Sequence, residues 1–117
     1  MGESLFLRDP GFHILAALAG GDRHGYGIMK VVAAQSEGSV HLSLGTLYGA
    51  LERLAKKGAV EIVREERAGG RLRRYYHLTD SGADSLRREM ALRSLLIETT
   101  LSSLDARRQA TFTPLEA

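Results

Sequence analysis

The stretch LSLGTLYGALERLAKKG, Leu42–Gly58, followed at once by AVEIVREERAGGRLRRYYHL, Ala59–Leu78, decides the fold. In the first part Leu44, Leu47, Tyr48, Leu51 and Leu54 recur at helical spacing and make one apolar stripe. Ser43 is placed to N-cap that helix, since its hydroxyl can accept one of the N–H groups the first turn leaves unsatisfied. Lys56 and Lys57 fall in the last turn, where cations suit the helix dipole, and Gly58 closes it. In the second part the period drops to two. Val60 and Ile62 alternate with Glu61 and Val63, which predicts a strand over about Ala59–Glu66. Ala68-Gly69-Gly70 is a turn, and Leu72–Leu78 is the returning strand, with Arg74, Tyr76 and Leu78 on one face and Arg73, Tyr75 and His77 on the other. A two-stranded hairpin is not stable alone, so Val60, Ile62, Tyr76 and Leu78 are expected to lean on the helices.

Working outward, Asp9-Pro10 reads as an N-cap followed by proline at the first helical position. Phe12, Ile14, Leu15 and Leu18 follow at mostly helical spacing, and Gly20-Gly21 stop this first helix. Asp22–Gly25 make a tight link to a second helix over about Gly25–Ser36, closed by Gly38. Downstream, Thr79 can cap a fourth helix, the longest, over about Asp80–Ser103. The expected class is α+β, mostly α. It is a winged helix-turn-helix of three helices and a two-stranded β wing, followed by a long C-terminal dimerisation helix. The expected division is 1–79 for the winged domain, 80–105 for the dimerisation helix and 106–117 for a flexible tail. The third helix is the candidate for a DNA major groove.

The 117 residues carry a net charge of +2, which hides an asymmetry. Arg53–Arg74 holds eight basic and three acidic side chains, or +5, while the remaining eight basic and eleven acidic side chains give −3. A basic block in an acidic chain points to a polyanion partner, and a solvated charged hairpin is the other reading. There is no cysteine, so disulfides, thiolate zinc sites and thiol nucleophiles are excluded, and a cytoplasmic location is expected. No run of about 18 apolar residues suggests a membrane span, and the first residues do not read as a signal peptide. His13, His24, His41 and His77 fit no metal-ligand spacing, so no metal or cofactor is expected. No activated nucleophile or acid pair stands out, so no catalytic residue is assigned and an enzyme is not expected.

Three stretches together resemble the PadR family of bacterial transcriptional regulators. They are Ile14–Leu18 leading to His24-Gly25-Tyr26-Gly27-Ile28; Leu42–Tyr48 continuing through Leu51-Glu52-Arg53-Leu54 to Lys57-Gly58; and Gly69–Gly82. In this order and spacing they cover about residues 12–82. The single following helix is similar to the short subfamily, whose members end in one dimerising helix. The chain departs from the family pattern where Leu44 replaces a common proline, Gly27 a common acid and Ala59 a larger aliphatic. The resemblance implies a winged-helix repressor that binds a palindromic operator in double-stranded DNA as a homodimer. It also places Tyr26 near the DNA backbone, against the alternative of a core tyrosine, and the Tyr48 hydroxyl within reach of a phosphate although its ring reads as core.

The residues themselves add detail. A helix N-terminus offers N–H groups and positive dipole to a phosphate, and Ser43 and Thr46 add hydroxyls there. Gly45 and Gly49 cost about 1 kcal/mol each against alanine. That cost is explained either by a DNA surface leaving no room for a side chain or by helix crowding. Arg53 suits a guanine or a phosphate, and Arg71 and Arg73 near the wing tip suit phosphates.

On the last helix Leu86, Met90, Ile97, Leu101 and Leu104 form a near-heptad stripe that Leu92, Leu95 and Leu96 widen. A second copy is the simplest partner, with intrachain packing on the first helix as the alternative. Some short members of the family bind planar apolar molecules at such a dimer centre and use tryptophan there, which this chain lacks; a small apolar effector here would be lined by the mid-helix residues Leu96 and Ile97, and a fully packed coiled seam with no cavity is the alternative. The competing function is a winged-helix protein-interaction module that does not bind DNA.

Overall fold

The structure, a computed structural model, describes residues 9–112, with side chains to residue 110. In chain order the elements are α1 (Pro10–Leu18), β1 (Arg23–His24), α2 (Gly25–Gln35), α3 (Leu44–Lys56), β2 (Val60–Ala68), β3 (Arg71–Leu78) and α4 (Asp80–Phe112). Four side chains cap the four helices. Asp9 accepts from the Phe12 N–H, His24 Nδ1 from Gly27, Ser43 Oγ from Thr46 and Thr79 Oγ1 from Gly82.

The chain divides into two compact units at Leu86–Arg87. The first is the winged helix. Ile14, Ala17 and Leu18 of α1 meet Ile28 and Val32 of α2, Leu47, Ala50 and Leu51 of α3, and Val60 and Tyr76 of the sheet in one apolar core. Leu86 belongs to that core, with 7% of its surface exposed. It therefore does not start the free stripe expected on the last helix.

The sheet has three strands in the order β1-β3-β2, not the expected two. Arg23 pairs with Tyr76 and His24 with Tyr75, so the link before α2 is a strand. Two residues are too few to show a period, which is why the sequence read as a plain link. Arg23 anchors it by donating from Nε to the Ala17 carbonyl, 2.7 Å.

In β2 the register shifts between Ile62 and Arg64, leaving Val63 as an extra residue. Such a bulge re-aims everything beyond it. Val60 and Ile62 lie opposite Leu78 and Tyr76, but past the bulge Arg64 and Glu66 oppose Tyr75 and Arg73. Val60 and Tyr76 are buried as expected and Leu78 packs beside them, whereas Ile62 on the edge strand stays 49% exposed.

The second unit is the remainder of α4, which continues past Ser103 to Phe112. Residues 106–112, expected in a tail, are thus helical, because Ala, Arg and Gln favour helix and no glycine or proline intervenes before Pro114. Residues 113–117 lie outside the described ones. Met90, Leu92, Leu95, Leu96, Ile97, Leu101 and Leu104 are all exposed. At 100° per residue Met90, Ile97, Leu101 and Leu104 share one side, and Leu92 and Leu95 take the opposite side rather than widening the stripe.

Thr79 joins α4 to the end of α3. Its hydroxyl donates to the Gly58 carbonyl at 2.6 Å, and its N–H donates to the Ala59 carbonyl at 3.1 Å. Gly82, one turn on, lies so close to the Ala59 carbonyl oxygen that a Cβ would collide with backbone. Gly82→Ala is expected to destabilise the fold by about 1–3 kcal/mol, read as a lowered midpoint in thermal unfolding by circular dichroism.

Candidate nucleic-acid interface

The site is built where α2 begins, α3 begins and β3 leaves the wing tip. At α3, Ser43 Oγ accepts the Thr46 N–H at 3.2 Å and donates to Thr46 Oγ1 at 3.0 Å. The Ser43 hydroxyl is therefore committed to capping, and the outward hydroxyl of the pair is that of Thr46. Leu44 and Gly45, the first two helical residues, carry N–H groups that the helix itself cannot satisfy. Both residues are exposed, and nothing lies within 4 Å of a Cβ built on Gly45. Crowding within the winged helix therefore does not account for Gly45. Gly49 meets only the Arg53 guanidinium, at 3.6 Å.

Tyr48 does not join the core expected for it. It is 45% exposed, because Leu47, Ala50 and Leu51 point inward and residue 48 sits a further 100° round the helix. Its ring reaches back to the start of α2, where Gly25 is buried directly beneath its hydroxyl. A Cβ at 25 would displace that hydroxyl. That packing role was visible in the sequence only as a glycine opening a helix.

Tyr26 is 44% exposed, which removes the alternative of a core tyrosine. Arg71 Nη1 donates to its hydroxyl at 3.3 Å, across the gap between the wing and α2. Tyr26, Tyr48, Arg71 and Arg73 line one pocket, together with His24, Gly25, Leu72 and Arg74. His24, Gly25, Leu72 and Arg74 are the members that the sequence reading does not assign to the site, and Leu72 reads there as one more strand residue. Arg53, near the other end of α3, is not part of this pocket.

The charge asymmetry resolves into paired and unpaired arginines. Arg64 binds Glu66 at 2.7 Å, and its guanidinium stacks 3.6 Å from the centre of the Tyr75 ring. Arg74 binds Glu65 at 2.8 Å across the two strands. The Tyr75 hydroxyl also donates to Glu66, at 2.7 Å, and this bond first, then Arg64, holds the Glu66 carboxyl below its ordinary range. Arg71 and Arg73 form no ion pair among the described residues, so these two cations of the pocket remain available to an anion.

Two histidines tie β1 and its flank to β3 with opposite pH dependence. The His77 Nδ1 lies 2.7 Å from the Asp22 carboxylate, which raises its pKa. His24 is lowered, first by burial and then by Arg73, and its Nδ1 must stay unprotonated to cap α2.

A family model described as the transcriptional regulator PadR-like family matches residues 14–88, most of the chain. The chain belongs to the PadR-like family. That family is one of transcriptional regulators. Among solved structures, a PadR family transcription regulator from Clostridium difficile superposes with a TM-score of 0.69 at 29% identity, over 81% of this chain and 97% of that one. Bacillus subtilis PadR in complex with operator DNA shares the fold at a TM-score of 0.61 and 19% identity, over 95% of this chain and 81% of that one. A Lysinibacillus sphaericus protein designated uncharacterized is 32% identical over 69 residues, which span 59% of this chain and 63% of that relative, less than two thirds of its length.

The histidines yield a pH prediction. The raised His77 contributes stability that is fully present below its ordinary value of 6.5 and is lost as pH rises through the raised value. Asp22→Asn should therefore lower the melting temperature more at pH 5.5 than at pH 8.5. For His24 the sign reverses, since the unfolded chain protonates first as pH falls below 6.5. His24→Asn, which keeps a cap acceptor, should reduce the loss of stability on acidification. Both are checked by melts across the pH range.

Proposed function

We propose that this regulator is a cytoplasmic homodimer that binds a palindromic operator in double-stranded DNA and represses transcription until a small apolar effector releases it. The observation that carries the DNA reading is the gathering of Arg71, Arg73, Tyr26 and Tyr48 around one pocket, to which α3 contributes Tyr48. Such donors position a duplex through its phosphates. Thr46 and the N–H groups of Leu44 and Gly45 extend the surface along α3, and Ser43 supports it as the cap. Bacillus subtilis PadR in complex with operator DNA supports the same use of the fold.

The dimer reading rests on α4, where Met90, Ile97, Leu101 and Leu104 are exposed on one side. A helix with leucines on its opposite side as well is suited to more than a single two-helix seam. A second copy also presents two α3 helices to the two half-sites of a palindrome. Leu96 and Ile97, both exposed mid-helix, are the proposed effector contacts.

Two experiments test this reading. Gel shifts of duplex DNA at rising salt should show a steep loss of affinity, and Arg71→Ala with Arg73→Ala should flatten the log–log slope by about 0.9 for each phosphate contact removed. An unchanged slope removes the wing from the interface. Sedimentation should give a dimer at micromolar concentration and a monomer for Leu101→Lys with Leu104→Lys, with operator affinity falling together with dimerisation. If no planar apolar compound both binds the dimer and lowers its DNA affinity, the effector is excluded.

A further inference from the structure

We propose that Arg53 is the base-reading residue of α3, with a guanine as its target, and that Gly49 is the seat that positions its guanidinium. The proposal deepens the DNA-binding reading above and rests on it.

By its Cα, Arg53 is badly placed, near the C-terminal end of a helix that runs from Leu44 to Lys56. Base contacts from a recognition helix come mainly from its N-terminal residues. The side chain does not follow its Cα, however. One guanidinium nitrogen lies 3.6 Å from where a Cβ of Gly49 would stand, a full turn nearer the N-terminus. The group therefore lies along the helix surface at mid-length, with bare backbone beneath it. A glycine at 49 permits this approach, and a leucine there would occupy the space the guanidinium uses.

The surroundings favour a base over a phosphate. Arg53 is exposed and forms no ion pair among the described residues, so its five donors are uncommitted. Glu52, its neighbour, is also exposed, and a carboxylate at this turn repels a phosphate. Cations suited to phosphate are Lys57 at the end of α3 and Arg71 and Arg73 beside the wing, and Lys56, one turn beyond Arg53, shares the side of the helix on which Gly49 lies. The other exposed α3 side chains on this side are the Thr46 hydroxyl, the Glu52 carboxylate and the Lys56 ammonium, with no side chain at Gly45, so Arg53 carries the one guanidinium among them. A guanidinium fork matches the O6 and N7 acceptors of guanine in the major groove, a match that an ammonium on a lysine stem does not reproduce.

The test selects bound sequences from a randomised duplex library with the full-length protein and its variants. Wild type should enrich a guanine at one symmetry-related pair of positions. Arg53→Lys should lose that preference by roughly tenfold or more, while circular dichroism and the salt slope stay unchanged. Gly49→Leu, with the arginine intact but displaced, should lose the same preference at the same position. Retention of the guanine by Arg53→Lys overturns the assignment. A salt slope lowered by about 0.9 in Arg53→Ala, with base preference intact, overturns it too and makes Arg53 a phosphate contact. Wild type that binds no duplex at any salt brings down the DNA reading itself, a failure visible before any variant is compared.

Discussion

Strand β3 is hydrogen-bonded on both edges, to β2 along its length and to Arg23 and His24 of β1. The placement of the candidate site depends on that double pairing. The β1 bonds hold the start of α2 against the wing, so that Tyr26 comes within reach of Arg71. Burial of Tyr76 fixes which face of β3 looks to the core. With one face fixed, strand alternation fixes the direction of every residue from Arg71 to Arg74. The bulge at Val63 then brings Glu65 opposite Arg74, and Arg64 and Glu66 opposite Tyr75 and Arg73. Arg64 and Arg74 are neutralised on the hairpin itself, and Arg71 and Arg73, which share the pocket with the tyrosines, form no ion pair among the described residues.

The glycines divide by what surrounds them. Gly25 and Gly82 are packing glycines, one beneath the Tyr48 hydroxyl and the other against the Ala59 carbonyl. Gly45 faces open space, and Gly49 faces only a guanidinium. In a helix exposed to water, that second arrangement gives up propensity without any gain in packing. It is consistent with a surface that something broad and flat must approach closely, and a groove wall of duplex DNA has that shape.

Most of the architecture was legible in the sequence because it is carried by strong periods and caps. The stripe of α3, the switch to period two at Val60 and the capping residues Asp9, Ser43 and Thr79 each named an element. What escaped was carried by tertiary contacts. The two residues of β1 have no period, and the exposure of Tyr48 depends on the phase of α3 against the core. Leu86 was assigned to the wrong partner because heptad spacing does not say whether the partner is the chain's own core or another copy. The extension of α4 past Ser103 depended on helix propensity, which a reading by apolar stripe does not weigh. For the site, the sequence supplied Tyr26, Arg71 and Arg73 as separate candidates, and only the fold brings them to one pocket with Tyr48 and Leu72.

On the proposed function, one edge of the winged helix, formed by the start of α3, the start of α2 and the tip-proximal part of β3, receives duplex DNA. Amide chemical shifts of the labelled protein, followed while duplex is added, test it residue by residue. The N–H signals of Leu44, Gly45 and Thr46 should move together with those of Tyr26 and Arg71–Arg73, while those of Ser36–Ser39 just past the end of α2 should stay in place. Shifts confined to α4, or to the far end of α2, would contradict it.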